Sequence, residues 1–189
     1  EGSINNAINK IHILEQIQSS YDLNNLNIKQ VINDCINFGI IPFSILARHA
    51  FISIALLNSL VAIKVIKKKQ SELFLNSIKT VATDLVHDLN GLINKKISKK
   101  NFLEKYGHLR PGTYDILSKR YDETNYFNLT KMHNSNKAES TNYRFSRKVL
   151  KKIDIFLQKR GFKNINSEEF LNYIKQSVSL REYSKFIFT

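Results

Sequence analysis

The stretch that decides the fold is "PFSILARHAFISIALLNSLVAIKVI", residues 42–66. Apolar side chains lie on nearly every side of a helix formed by these residues, and a helix that is apolar all round is buried among other helices. Within this stretch the longest apolar run covers residues 50–66 and is interrupted by polar residues such as Ser59 and Lys64, so this run is too short and too polar to span a membrane. We therefore expect a central helix whose polar side chains Arg48 and Asn58 are held by partners.

Further helices are predicted on both sides of this stretch, because apolar residues recur there at steps of three and four. Gly39 and Pro42 separate the central helix from the one before it, Gly107 and Gly161 end two later helices, and Ser98 caps a short one. The pattern predicts an all-α fold, one domain over residues 1–189 with about six to eight helices and one long irregular loop region. The other predicted helices cover residues 4–17, 28–36, 72–97, 98–106, 145–160, 168–178 and 180–185.

Composition narrows the class of protein. The formal net charge is +13 and the sequence pI is about 9.8, which suits a negatively charged partner without identifying it. Cys35 is the only cysteine, so the chain has no disulfide framework and no thiolate metal cluster, as is typical of the reducing cytoplasm. Its apolar neighbours predict a core thiol. No spacing of histidines indicates a metal site.

Residues 104–123, "EKYGHLRPGTYDILSKRYDE", concentrate the turn-forming residues and the polar side chains of the chain. Pro111 and Gly112 fit the centre of a type II turn, and an extended run before them would point His108 and Arg110 to the same side. The alternative is that Arg110 pairs with Asp115 and only fixes the turn. The candidate substrate-binding residues are Arg48, His108, Arg110, Tyr114, Asp115 and Arg120.

A polar stretch follows this loop. Residues 125–142 are rich in Asn and Ser and show no hydrophobic period, so we expect them to be exposed and mobile.

Four segments of the chain resemble one family of enzymes in the order that the family has them. They are "FLEKYGHLRPGTYDILSKRYDE", "GIIPFSILARHAFISIALLNSL", "FLNSIKTVATDL" and "LREYSKFIFT". The family is that of the phosphoenolpyruvate synthase-like phosphotransferases, in which a phosphohistidine domain carries phosphate from an ATP-grasp domain to an acceptor. The "GHLRPGTYDI" form of the loop is similar to the L-glutamine kinase branch, which implies amide phosphorylation of L-glutamine for capsule polysaccharide modification.

Other family motifs do not occur in the chain, which has no Gly-rich phosphate loop and no histidine in a Thr/Ser-His-Ala setting. The resemblance therefore implies an acceptor-binding middle domain excised from a larger cytoplasmic enzyme. It binds no cofactor itself and is inactive alone, whereas the full-length enzyme uses ATP and Mg²⁺. Its partners are a small polar acceptor and the flanking ATP-grasp and phosphohistidine domains, not a membrane.

The resemblance also implies roles for the candidate residues. Arg110 and Arg48 would bind an acceptor carboxylate or the transferring phosphoryl group, since a guanidinium binds either with two hydrogen bonds. His108 and Asp115 are the candidates for catalysis, by hydrogen bonding or deprotonating the acceptor, and Tyr114 and Arg120 would shape the pocket. For Arg48 the alternative is a buried arginine paired with a carboxylate.

Two alternatives assign no catalysis. The basic runs "KVIKKKQ", "KKISKK" and "SRKVLKKIDIFLQKR" would suit a module that binds nucleic acid. These runs have no stacking motif or helix-turn-helix spacing, and runs of this kind are usually solvated helix faces, so nucleic acid is the less favoured partner. The other alternative is that the helices merely link and orient the flanking domains.

Overall fold

The computed structural model describes residues 2–110, 115, 117–123 and 142–188, and all regular structure in these ranges is helical, which confirms the all-α prediction. The described helices, seven in number, agree with the predicted six to eight. A 3₁₀ turn over Leu23–Asn25 follows the first of them. The helices are α1 Gly2–Gln18, α2 Ile28–Ala62, α3 Lys68–Asn76, α4 Val81–Ile93, α5 Lys99–Tyr106, α6 Arg147–Lys159 and α7 Ser167–Phe188.

The chain divides into two compact units. Residues 1–80 and 140–188 form the first unit, and residues 81–139 form the second. Helices α1, α2, α3, α6 and α7 therefore belong to the first unit, and α4 and α5 belong to the second. The assignment of residues 1–189 to one middle domain of a larger enzyme stays a prediction.

Helix α2 continues through the predicted break at Gly39 and Pro42, so that prediction was wrong. An α-helical segment, Ile28–Asp34, leads into a π-helical segment, Cys35–Ile40, and then into a second α-helical segment, Ile41–Ala62. Pro42 occupies one of the first positions of this last segment, where a missing N–H costs little. The hydrogen-bonding register changes here, so the chain passes proline without ending the helix. Cys35, expected in the core, is only half-buried.

The continuous helix also changes the argument about membranes. Among the described residues α2 is long and apolar enough to cross a bilayer, with a mean hydropathy of 1.9 over its most apolar window. The core helix of a soluble protein meets the same criterion, so this finding is weak evidence for a span. The length argument against a span does not hold, because it was made for residues 50–66 alone, whereas the helix covers Ile28–Ala62.

Helix α2 buries one face rather than its whole circumference. Leu57 and Leu60 are fully buried, whereas Phe51 on another side of the helix is 65% exposed. Arg48 and Asn58 are exposed as well, so the expectation that they need buried partners was wrong. The helix packs its buried face mainly against α7 and α1.

The first unit contains the main hydrophobic core. This core joins α2, α3, α6 and α7 with the residues that connect them, and a smaller cluster of Ala7, Ile11 and Leu46 joins α1 to α2. The buried members of the main core are Leu57, Leu60, Ile66, Phe74, Ile78, Phe145, Ile153, Leu157, Phe170, Leu171 and Ile174.

Two helix boundaries differ from the periodic pattern. The predicted helix over 72–97 is divided into α3 and α4, because Ser77 ends α3: its N–H bonds to the carbonyls of Leu73 and Phe74, and its hydroxyl donates to Phe74 as well. The predicted last pair is instead the single helix α7. Ser179 does not interrupt α7, since its hydroxyl donates to the carbonyl of Lys79 at 3.1 Å.

The predicted cap at Ser98 and the predicted stop at Gly161 are confirmed, and a further capping pair is found at the start of α7. The Ser98 hydroxyl accepts from the N–H of Asn101 at the start of α5. Asn166, just before α7, and Glu169, in its first turn, bond reciprocally, with both N–H to oxygen distances at 2.9 Å. Gly161 follows α6 with a φ of 89°, as a left-handed stop requires.

Gly107 was predicted to end α5 in the left-handed conformation, and it ends the helix for a different reason. Its φ is −57°, so it is not in the left-handed region. A Cβ at this position would clash with the Leu103 carbonyl oxygen and lie 3.2 Å from the Cβ of Asp122. Glycine is therefore required because the Leu103 carbonyl and the Asp122 side chain approach it closely, and not because of its backbone conformation.

Candidate functional site

Most of the predicted site residues lie in the second unit, in the loop that follows α5. Two backbone hydrogen bonds close this loop. The N–H of Tyr121 donates to the Leu109 carbonyl at 3.0 Å, and the N–H of Asp122 donates to the Gly107 carbonyl at 3.1 Å. The two ends of the loop consequently run side by side.

This pairing brings Arg120 next to the segment that carries His108 and Arg110. All three residues are half-buried. His108 lies in a turn that continues α5, where the Leu109 N–H bonds to the Tyr106 carbonyl at 3.0 Å. The expected extended run over 108–110 was therefore wrong at its first residue, because the helix winds on past its last regular turn. Pro111, Gly112 and Tyr114, and most of the stretch 125–142, lie outside the described residues.

One hydrogen bond from Nε holds the Arg110 side chain in place. Its Nε donates to the Ser118 carbonyl at 2.8 Å. Asp115 organises the same turn, because Oδ1 accepts from the Leu117 N–H at 2.9 Å and its carbonyl accepts from the Ser118 N–H at 3.1 Å. Arg110 and Asp115 thus both hold the turn at Ser118. Within the described part of the chain, the two terminal nitrogens of Arg110 have no hydrogen-bond partner.

The Arg120 side chain is held by two hydrogen bonds to one carboxylate. Its Nε and Nη2 donate to the two carboxylate oxygens of Asp122 at 3.0 and 2.8 Å, and its backbone N–H donates to Glu123 at 2.9 Å. A side chain held by two hydrogen bonds to one carboxylate is rigid and partly neutralised. Arg120 is consequently suited to shaping the loop rather than to binding an anion by itself.

Asp88 on α4 connects α4 to the end of α5. Its Oδ2 accepts from the Tyr106 hydroxyl at 2.8 Å and from the Lys105 ammonium at 2.9 Å. Tyr106 is fully buried and packs against Phe102 at a ring centroid distance of 5.1 Å. Asp88 and Lys105 were not predicted, since no sequence pattern links an aspartate to residues 17 and 18 positions away on another helix.

The charges around Asp88 are mutually stabilising. Burial alone would raise the pKa of Asp88, but hydrogen bonds from Lys105, Tyr106 and His87 outweigh it and lower the pKa to about 2. Hydrogen bonds with Tyr106 and Asp88 raise the pKa of Lys105. Burial, followed by the hydrogen bond to Asp88, raises the pKa of Tyr106, against the opposing effect of Lys105. The ion pair of Asp88 and Lys105, with the Tyr106 hydroxyl, therefore holds α4 against the end of α5, where the loop begins.

Replacing Asp88 should give a pH-dependent loss of stability. The pKa of Asp88 is lower in the folded protein than its usual 3.8, so the carboxylate stabilises the fold above about pH 4 and loses this effect as the pH falls through about 2. We expect Asp88→Asn to cost about 1 kcal/mol at pH 7, a value reduced for the solvent around Lys105. Urea unfolding measured from pH 7 to pH 2 should show this difference shrink.

The exposed Glu104, which pairs with Lys100 at 3.9 Å, supplies the control. Glu104→Gln should change stability by less than about 0.5 kcal/mol. A cost for Asp88→Asn that is equal at pH 7 and pH 3 would contradict the ion-pair account.

In the first unit, Arg48 lies on the exposed side of α2, next to a short hydrogen-bond chain. His49 bonds through Nε2 to the Ser3 hydroxyl and through Nδ1 to the Tyr173 hydroxyl, both at 3.0 Å. This chain ties α1, α2 and α7 together across the unit. The alternative of a buried, carboxylate-paired Arg48 does not apply, because the side chain is exposed.

The first unit also has an open polar cavity of about 370 Å³ between α1 and α2. Inside it the Tyr21 hydroxyl donates to Asp34 at 2.9 Å, and burial followed by this hydrogen bond raises the pKa of Tyr21. The polar lining also includes the amide groups of Asn25, Asn27 and Gln30, and no lysine or arginine is among the lining residues. Its chemistry suits a neutral or cationic molecule, so it does not correspond to the anion site that the sequence predicts.

Comparison with known proteins adds no identification. No family model, no curated protein and no solved structure matches the chain. Among the described residues, no group of three or more histidine, cysteine, aspartate or glutamate side chains could hold a metal ion.

Proposed function

We propose that the loop after α5 binds an acceptor carboxylate or a transferring phosphoryl group, and that the chain is the acceptor-binding domain of a phosphoenolpyruvate synthase-like phosphotransferase. The proposal rests on the quoted sequence resemblance and on the state of Arg110. Its Nε is fixed to the Ser118 carbonyl, whereas its terminal nitrogens have no partner among the described residues. A half-buried guanidinium held in this way is oriented in advance for an anion.

The chemistry asked of such a domain is modest. Phosphoryl transfer depends on alignment and on stabilisation of negative charge more than on covalent participation of the protein. Arg110 would supply the charge, His108 and Asp115 would hydrogen-bond or deprotonate the acceptor, and Arg120 would shape the loop. ATP and Mg²⁺ would be used by the other domains, so the chain alone should consume no ATP. The proposed acceptor is a small polar molecule such as L-glutamine.

Arg110→Lys in the full-length enzyme tests the proposal. The variant should form phosphohistidine normally but transfer phosphate to the acceptor at least tenfold more slowly, because an ammonium cannot reproduce the planar pair of donors. The measurement is the acceptor-dependent loss of labelled phosphate from the enzyme. Arg144→Lys, at an exposed position of the first unit, is the matched control and should transfer normally.

Thermal unfolding of the same variant separates binding from support of the loop. If Arg110 only holds the turn at Ser118, the variant should melt at a lower temperature and still transfer phosphate normally in the cold. Unchanged transfer would therefore refute the proposed role of Arg110.

A further inference from the structure

Helix α6 and the residues just after it carry a dense positive charge, which we call the α6 cationic face. The only carboxylate on α6 is that of Asp154, which is half-buried and accepts from the backbone N–H of Ser167. Every cation of the face is exposed. The members are Arg147, Lys148, Lys151, Lys152, Lys159, Arg160 and Lys163.

No ion pair within the described part of the chain balances the charge of these cations. Within the described residues no member of the face forms an ion pair, whereas Lys105 and Arg120 in the second unit both do. The Arg160 guanidinium lies over an aromatic ring, that of Phe156, with its carbon 5.6 Å from the ring centroid. Among the described residues the face is therefore a concentration of unpaired charge and not one side of a salt-bridge network.

The position of the charge does not serve the stability of α6. Four of the cations lie within residues 147–152, at the positive end of the helix dipole, where acidic residues are favoured. Helix α7 follows the usual preference, with Glu168 and Glu169 in its first turn. These four cations thus cost helix stability, and a bound polyanion would offset this cost.

The density of the charge matches that of a nucleic acid. The four cations of residues 147–152 lie along about 8 Å of helix axis, since each residue rises about 1.5 Å. This corresponds to one positive charge per about 2 Å, and duplex DNA carries one negative charge per about 1.7 Å.

We propose that the α6 cationic face binds the phosphate backbone of nucleic acid without regard to base sequence. This inference is independent of the proposed phosphotransferase role. An anionic membrane is the less suitable partner, because a helix that binds a bilayer must offer its apolar side to the lipid. The apolar side of α6 is occupied, since Ile153 and Leu157 are buried in the core of the first unit.

The test uses the whole chain and a fluorescently labelled 20-base-pair duplex of mixed sequence, titrated at several salt concentrations between 50 and 200 mM. The variant carries Lys148→Gln, Lys151→Gln and Lys152→Gln, which remove three charges with little change in helix propensity. Log affinity falls linearly with log salt, and each lost phosphate contact makes this slope shallower by about 0.9. We therefore expect the magnitude of the slope to decrease by about 2.7 and the affinity at 50 mM salt to fall more than tenfold.

A second triple variant with the same change in net charge is the control. Lys29→Gln, Lys68→Gln and Lys69→Gln change exposed lysines of the first unit that belong to α2 and α3 and not to α6. This control should keep most of the affinity and slope, and circular dichroism should show both variants folded.

Three results would overturn the proposal. Equal losses in the two variants would mean that net charge alone attracts DNA. If the chain does not bind the duplex even at 50 mM salt, the face is only solvated. Binding to phosphatidylserine vesicles in the absence of binding to the duplex would assign the face to a membrane.

Discussion

Leu57→Ala should lower the free energy of unfolding of the first unit by about 2–5 kcal/mol. The Leu57 side chain is fully buried, between core residues of α2, α3 and α7. The substitution removes buried apolar surface and leaves a cavity that a close-packed core fills only in part. Urea denaturation followed by circular dichroism measures the loss.

Ile32→Ala on the same helix is the control. Ile32 is 54% exposed, and the segment Ile28–Asp34 has no buried residue. Truncating an exposed side chain of this kind changes stability by about 0.5 kcal/mol or less. Equal losses at Leu57 and Ile32 would mean that the exposed end of α2 is buried in solution, and the fold of the first unit would need revision.

The sequence predicted α2 as a central helix because apolar side chains dominate it, but composition does not reveal how much of the surface is covered. Phe51 and Ile52 continue the apolar pattern and are nevertheless 65% and 45% exposed. Gly39 and Pro42 are the residues that usually end a helix. They failed to do so here because the π-helical turn shifts the hydrogen-bonding register before Pro42, and periodicity gives no sign of that shift.

Errors at other helix boundaries have a common cause. Serine is compatible with both a helix and its end, so the pattern alone does not decide between them. Ser77 bonds backward to Phe74 and ends α3, whereas Ser179 donates to the carbonyl of Lys79 and lies inside α7. The partner of Ser179 lies 100 residues away in the sequence, whereas the partner of Ser77 lies only three residues away.

The candidate site could be predicted only where it is local in the chain. His108, Arg110 and Arg120 were identified because one loop contains them. Asp88 was not identified, since it meets Tyr106 through the packing of two helices. The hydrogen bond between His49 and Tyr173 was not predicted for the same reason, since the two residues lie 124 positions apart in the sequence.

Tyr106→Ala should destabilise the second unit by about 3–5 kcal/mol. The fully buried ring packs against Phe102, and its hydroxyl donates to Asp88 at 2.8 Å. The alanine variant loses both interactions and leaves a cavity, whereas Tyr106→Phe keeps the ring and should cost only about 1–2 kcal/mol. The comparison of the two variants in urea separates packing from hydrogen bonding.

Hydrogen exchange locates the effect of Tyr106→Ala within the second unit. The Tyr106 carbonyl accepts from the Leu109 N–H, and the Leu109 carbonyl accepts from the Tyr121 N–H, so the buried ring fixes the start of a chain of bonds that closes the loop. Loss of the ring should speed exchange at both amides, while amides in α2 remain protected. If Tyr121 exchanges at its original rate, the loop that carries Arg110 is held independently of Tyr106.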